Sequence, residues 1–412
     1  MQSNPLPASE LPLKTSAGLD LLDGVIVLDL TTSIAGPYAG QLLADFGATV
    51  IKVERPGVGD DCRAWGPPFL DGVSLWFLSV NRNKQGVTLD ISHPRGNEVL
   101  LQLIRQADVM LVNLPARAQR KLGIDAATLA PVAPGLIHAS ITGFGLAGER
   151  ADLPCYDLIA EGYSGVMQMT GEPDSPPQKV GTPAADLLAG EDAALAITAA
   201  LLRKQRTGQG AVIDISMVES MTRFMAPRLV PYLGSGERMR RSGGRDSVIA
   251  IYQAFDTADE PITLGLGNDA IWRRFWQAVD DEAAAENPAH ATNTLRRADR
   301  PALVARIADL LKSRRRDEWL EIFARARVPA GPIYRLDEIA GDNGLRDRGF
   351  LYGVDQHGTR LPQVGLGIGV DGNSERCSRV PLHLGADNEN VFGGRLGLSR
   401  EAMTELAKAG II

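Results

Sequence analysis

The stretch GTPAADLLAGEDAALAITAALL at 181–202 holds a carboxylate, Asp186, with only Thr182 and Ala, Pro, Leu and Gly within four residues on either side. A helix pattern follows it. An aspartate at a helix start commonly accepts the free amides of the first turn. The same carboxylate among small apolar neighbours could instead attack or deprotonate a substrate. The stretch alone leaves both readings open. Glu191 and Asp192 lie within the helix pattern and read as a solvated face or an ordinary ion pair. GFGLAG at 143–148 is a literal G-x-G-x-x-G, but Pro154 follows soon after and no helix opens there. A dinucleotide site requires that helix. Neither GxxxxGK[ST] nor GxSxG occurs, which removes the P-loop and the nucleophile elbow.

Composition narrows the classes further. A chain of 412 residues predicts two or three domains, and 44% hydrophobic residues suffice for a core. A net charge of −7 argues against a general nucleic-acid surface, though not against a local basic pocket for an anion. The three cysteines, Cys62, Cys155 and Cys377, are far apart, and the five histidines are scattered, so no metal framework is predicted. The first 20 residues lack a signal-peptide pattern and read as a flexible leader. No run of about 18 apolar residues exists, so no membrane span is expected and the protein is placed in the cytoplasm.

Periodicity gives an α/β architecture. GVIVLDL at 24–30 reads as a buried strand, Pro37 as the opening of a helix through Ala39, Leu42, Leu43 and Phe46, and TVIKVE at 49–54 as the next strand. Strands follow near 87–90, at DVMLVN, at GLIHASIT and at AVIDISM, with a helix through Leu100, Leu103 and Ile104. Short apolar strands alternating with helices predict a parallel sheet covered on both faces, with ligands at the strands' carboxyl ends. PYLGSGERMRRSGGRDS at 231–247 reads as a linker or loop. A second unit follows, with a strand at PITLGLG, helices near 271–279, 303–311 and 319–326, and Pro329 and Pro332 at its end. From about 350 the chain looks β-rich (LYGV, VGLGIGV) and ends in the amphipathic SREAMTELAKAG.

Several stretches together resemble family III CoA-transferases, the formyl-CoA and carnitine CoA-transferase type that also contains α-methylacyl-CoA racemase. They are GVIVLDLTTSIAGPYAGQLLADFGATVIKVERPGVGDDCRAWGPP, NRNKQGVTLDISHPRG, ADVMLVN, IHASITGFGLAG, YDLIAEGYSGVMQMTGEP, DLLAGEDAALAITAALLRKQRTGQGAVIDISM, VPAGPI and LGADNENVFGGRLGLS. The resemblance covers roughly 21–412. It implies a Rossmann-like large domain with an inserted smaller α/β domain, and two chains interlocked as a homodimer. The boundaries are a leader at 1–20, a large CoA-binding domain at 21–225, a small domain at 226–335, and a segment at 336–412 that returns to the large domain.

The resemblance also gives Asp186 a role, as the catalytic aspartate of this family. A carboxylate with an ordinary pKa of about 3.9 is charged at neutral pH and needs no base to attack a thioester. No tightly bound cofactor is implied; coenzyme A enters as the acyl-CoA substrate, beside a small carboxylic acid. Thr32, Ala35, Arg55, Leu89, Asn113 and Lys121 match positions that contact the CoA nucleotide. Lys121 stands where relatives usually carry Arg, and Leu114 where a Phe is common, so the pocket differs in detail. Asp157, Tyr156 and Trp65 match positions near the reacting centre or the acyl pocket. Gly243 and Gly244 resemble a mobile glycine loop over the site.

Racemases of this superfamily pair the aspartate with a histidine, because moving a proton between two faces of a carbon takes two acid–base groups. That histidine's position is Tyr156 here, which favours transfer. A racemase-type isomerase and a catalytically silent CoA-binding homologue remain the alternatives. Arg240, Arg241 and Arg245 could receive the second carboxylate of a dicarboxylic acid, with succinyl-CoA as donor. If so, replacing the three by Gln will shift acceptor preference away from dicarboxylates in a competition assay; an unchanged preference discards this role.

Overall fold

The computed structural model describes residues 8–14 and 16–412. Residues 1–7 and 15 of the expected leader lie outside the described residues. The described remainder is bonded to the C-terminal segment. Pro12 O accepts Gly353 N–H at 2.9 Å, and the Ser16 hydroxyl donates to Ser374 O at 2.6 Å.

The chain divides into two compact units. The larger contains the described residues up to Val166, Lys179–Ser235 and Ala340–Ile412; the smaller contains Met167–Gln178 and Gly236–Ile339. The stretch expected as the start of a linker is helical over Ala226–Ser235, with Pro231 inside, and belongs to the larger unit.

Six parallel strands form the sheet of the larger unit: β1 (Ile26–Asp29), β2 (Thr49–Glu54), β3 (Lys84–Thr88), β4 (Val109–Val112), β5 (Ile137–Thr142) and β6 (Ala211–Ser216). Their spatial order is β3-β2-β1-β4-β5-β6. The chain thus reverses its direction of sheet growth between β1 and β4, and ligands bind at such a switch point. Leu28, Ile51, Val87, Met110 and Val112 are buried, which explains why these strands read as unbroken apolar runs. Among the helices that cover the sheet or stand beside the site are α1 (Ala35–Asp45), α2 (Pro94–Gln106), α3 (Asp157–Ser164), α4 (Ala184–Thr207) and α5 (Met217–Phe224). α1 begins two residues before Pro37, which sits in the first turn, where a missing N–H breaks no helical bond. Gly47 ends it at φ +103°.

The C-terminal segment covers the exposed edge of β3. Gly86 N–H donates to Asp387 Oδ2 at 2.8 Å, and Thr88 N–H to Asn388 Oδ1 at 2.9 Å. This satisfies amides that an open edge would leave free for aggregation. The β-rich character expected there is one hairpin, Leu351–Gln356 against Thr359–Val364. Of VGLGIGV only Val364 is in that hairpin, and the glycines after it leave the strand.

The smaller unit has its own core of Trp272, Phe275, Trp276, Trp319 and Phe323. Its sheet is antiparallel, Ala330–Pro332 and Tyr252–Phe255 flanking Ile262–Gly265. The strand at Tyr252–Phe255 was not legible in the sequence, and the segment holding Pro329 and Pro332 forms an edge strand, where proline is tolerated.

Two buried ion pairs tie the start of β3 to the end of β1, and the middle of β2 to the loop that follows it. Lys84 Nζ lies 2.8 Å from Asp29 Oδ2, and Lys52 Nζ lies 2.8 Å from Asp60 Oδ2; all four side chains are fully buried. Burial pushes the Lys84 ammonium down to about 8 even with Asp29 beside it. Burial also works against the charge on Asp29, but Lys84 and Lys52 outweigh it and lower its pKa. Lys84 also donates to Pro37 O and Asn81 Oδ1, tying α1 to the sheet. Lys84→Met leaves Asp29 buried and unpaired, and is expected to cost about 3–5 kcal/mol in urea unfolding. Asp29→Asn/Lys84→Met should recover much of that. A single-variant loss near zero would contradict the coupling.

Candidate active site

The loop after β1 is the floor of the site. Ser33 N–H donates to Asp60 Oδ1 at 2.9 Å, and Ser33 holds φ +70°, a left-handed conformation costly for a non-glycine residue. Asn113, just past β4, accepts Thr32 N–H at 3.2 Å and donates to Thr32 O at 2.8 Å. The two strand ends at the switch point are thus clamped together.

α4 brings Asp186 to this floor. α4 packs along α1, and Gly190 permits the approach. A Cβ there would lie 2.7 Å from Ala35 O and 3.0 Å from the Tyr38 ring, too close for any larger residue. Asp186 is the third residue of α4 and does not cap it. The capping oxygen belongs to Asp157. Its Oδ1 accepts Ala185 N–H at 2.8 Å and Asp186 N–H at 3.4 Å. Asp157 starts α3, so one carboxylate ties the beginnings of two helices together.

A cleft of about 270 Å³ opens above Asp186, lined by Thr32, Ser33, Ala35, Trp65, Asn113, Cys155 and Tyr156 among others. A neighbouring cleft of about 370 Å³ is lined by Thr32, Arg55, Asp61, Leu89, Leu114 and Leu122 among others. The two share Thr32 and Asp61. Arg55 stands on the rim, mostly exposed, with its guanidinium 2.5 Å from Asp61 Oδ1. An exposed pair of this kind holds weakly, so an anion can take the place of Asp61. Trp65 packs edge-on against Trp76 at 6.2 Å between ring centres.

The structure brings Asp186, Thr32, Ala35, Asn113, Trp65 and Tyr156 into one cleft and Arg55 and Leu89 into its neighbour. Asp157 lies behind Asp186 and lines neither. Lys121, exposed at the end of helix Ala116–Leu122, also lines neither. Gly243, Gly244 and Arg245 line a cavity of about 750 Å³ within the smaller unit, with Tyr252, Gln253 and Ile333. Ser33, Asp61 and Cys155 escaped the sequence reading, since a lone Ser, Asp or Cys in a loop carries no spacing signal.

The electrostatics correct one expectation. Burial, and then the charge of Asp157, push the Asp186 carboxyl up to about 7. The amide ends of α4 favour the charged form, but burial and a second carboxylate outweigh them. Asp186 is therefore about half protonated at neutral pH rather than fully charged. Burial and the nearby Asp186 raise Cys155 to about 11, so its thiol is no competing nucleophile. GFGLAG runs into a loop whose Leu146 N–H donates to Asp214 Oδ2 at 2.9 Å, with no helix for a pyrophosphate. His138 is buried, Nε2 2.9 Å from Ile124 O, and is structural.

A strand-switch cleft with a nearby rim arginine and a buried carboxylate suits covalent chemistry on a nucleotide-linked acyl group. Residues 22–388 match the family model for CoA-transferase family III, and the chain belongs to that family. It is 38% identical over 351 residues to the succinate–glutarate CoA-transferase of Agrobacterium fabrum, covering 83% of this chain and 88% of the relative. It is 35% identical over 319 residues to the acetyl-CoA:oxalate CoA-transferase of Acetobacter aceti, covering 77% and 82%. A CAIB/BAIF family protein from Brucella suis superposes with a TM-score of 0.80 at 35% identity, covering 93% of this chain and all of that one. Membership at this level of identity makes the chain a CoA-transferase.

An acid whose pKa is raised on folding loses stability as pH rises from its unfolded value through its folded one. Asp186→Asn removes that loss. The variant should match the wild type near pH 4 and exceed it above pH 7 by about 4 kcal/mol in denaturant unfolding. A difference that stays constant with pH, or shrinks, contradicts the raised pKa.

Proposed function

We propose that this protein moves CoA from an acyl-CoA donor to a free dicarboxylic acid, with Asp186 as the nucleophile. The observation that carries the reading is the buried Asp186 carboxylate in a cleft joined to the Arg55 cleft through Thr32 and Asp61. The nucleotide occupies the Arg55 side, with Leu89 and the Thr32–Asn113 clamp against it, and the thioester reaches Asp186. Lys121 approaches only the outer phosphate end.

A carboxylate oxygen of Asp186 attacks the thioester carbonyl carbon. The C–S bond breaks, CoA leaves as thiolate, and an aspartyl mixed anhydride remains. The thiolate attacks the aspartyl carbonyl, releasing the donor acid and leaving an aspartyl thioester. The acceptor carboxylate then displaces CoA as a new anhydride, and CoA takes the acceptor acyl group, restoring the Asp186 carboxylate. Each step exchanges one acyl bond for another, and no redox partner is required. Trp65 and Tyr156 bound the acyl space and limit water that would hydrolyse the anhydride. With a carboxyl near 7, the free enzyme acylates faster as pH rises through neutrality.

The names of the relatives support dicarboxylates as acceptors and a donor such as succinyl-CoA. Arg245, in the smaller unit's cavity, is proposed to bind a carboxylate, and family resemblance suggests an interlocked homodimer. The three cysteines are free, consistent with the cytoplasm. Among the described residues, no helix is long and apolar enough to cross a membrane.

Racemisation needs a second acid–base group, and no histidine lines the cleft among the described residues. The test is a panel of acyl-CoA donors and free acids in deuterated water, followed by mass spectrometry, with Asp186→Ala alongside. The reading expects new CoA esters that require an added acid and fall at least 10³-fold in the variant, roughly the loss of a covalent nucleophile. A donor that gains deuterium with no new ester would establish the isomerase instead.

A further inference from the structure

We propose that Glu161, buried behind Asp186, is a neutral positioning residue that donates a hydrogen bond to Asp157 and so fixes the carboxylate at the start of α4. The proposal rests on the reading of Asp186 as the reacting group.

Glu161 is fully buried, one helical turn after Asp157 on α3. Its Oε2 accepts Val180 N–H at 2.9 Å, from the segment leading into α4. Its Oε1 is buried and receives no donor. The Asp157 carboxyl lies within hydrogen-bonding reach of the Glu161 carboxyl. Asp157 already accepts Ala185 N–H and Asp186 N–H. Two ionised carboxylates in that contact would repel at full strength, away from water. A single proton on Glu161 removes the repulsion and gives its orphaned oxygen a partner. The result is a continuous chain: Val180 N–H donates to Glu161, Glu161 O–H donates to Asp157, and Asp157 accepts the Ala185 N–H just before Asp186.

The surroundings agree. Burial raises the Glu161 pKa first and the Asp157 charge raises it further, while Val180 N–H and the Lys179 ammonium oppose. α5 packs against both α3 and α4, and carries Glu219 and Arg223. Arg223 is tied to Asp192 instead. Among these groups, no cation pairs with Glu161 directly. Loss of the Glu161 proton would push Asp157 from its place, tilt the first turn of α4 and move Asp186 relative to the cleft.

The test compares wild type, Glu161→Ala and Glu161→Gln. Glutamine reproduces the protonated acid, since its carbonyl accepts from Val180 and its NH₂ donates to Asp157. Glu161→Ala should lower kcat roughly 10- to 100-fold, as a misplaced reacting group does, with the donor KM little changed. Glu161→Gln should restore most of that kcat. Stability gives a second reading that needs no activity. The neutral acid stabilises the fold fully below its unfolded pKa, and that share is lost as pH rises through the raised folded value. The melting-temperature advantage of Glu161→Gln over wild type should therefore grow between pH 5 and pH 8. Should Glu161→Ala fail to fold, the glutamine comparison still decides. A Gln variant as impaired as Ala, or an advantage independent of pH, overturns the proposal. If Asp186→Ala retains full transfer while the pH-dependent advantage of Glu161→Gln persists, the nucleophile reading fails and the Glu161 proton stands.

Discussion

Asp157 accepts the first free amides of α4, and Asp186 follows on the same turn, so two like charges share one helix start. Water would screen them in solution; burial removes the screening. Burial, first by desolvating the Asp186 carboxylate and then by leaving the Asp157 charge unscreened, pushes the carboxyl facing the cleft up to about 7. A carboxylate held so close to its protonated form is less solvated than a surface aspartate and more reactive when ionised. The arrangement costs stability, and the larger unit offsets it elsewhere. Buried pairs tie β3 to β1 and β2 to the loop that follows it, and the C-terminal segment closes the β3 edge.

Geometry then does the rest. A reversal of strand order places the ends of β1 and β4 side by side, and Asn113 joins them through two bonds to Thr32. α1 leaves from the same loop, and Gly190 lets α4 lie against it. Asp186, the loop that would hold the nucleotide and the rim arginine thus belong to one packed body. A change of one side chain at the α1–α4 contact would be felt at the thioester.

The sheet was largely legible because its strands are short, apolar and separated by helices with ordinary start and stop residues. TVIKVE became a strand over its whole length, as written. Legibility failed where local chemistry and long-range contacts disagree. Pro231 reads as a break, yet it sits in a helix. VGLGIGV reads as a strand, yet its glycines leave the hairpin. Asp186 could be singled out from its apolar surroundings and Asp157 through the family resemblance, but the bonds that join them could not. Asp157 and Glu161 are 29 and 25 positions away in sequence, and only folding shows that one caps the helix of Asp186 and the other faces the cap. The ordinary pKa of a lone aspartate misled for the same reason: burial and charge proximity are three-dimensional quantities.

Transfer by this route depends on a covalent bond at one side chain. The direct measurement is to mix the protein with a donor acyl-CoA, quench with hydroxylamine, digest, and locate the modified peptide by mass spectrometry. The mechanism predicts a hydroxamate on Asp186, formed only with donor present. Turnover of the donor with the label on another residue, or with no enzyme-bound acyl group at all, would contradict it.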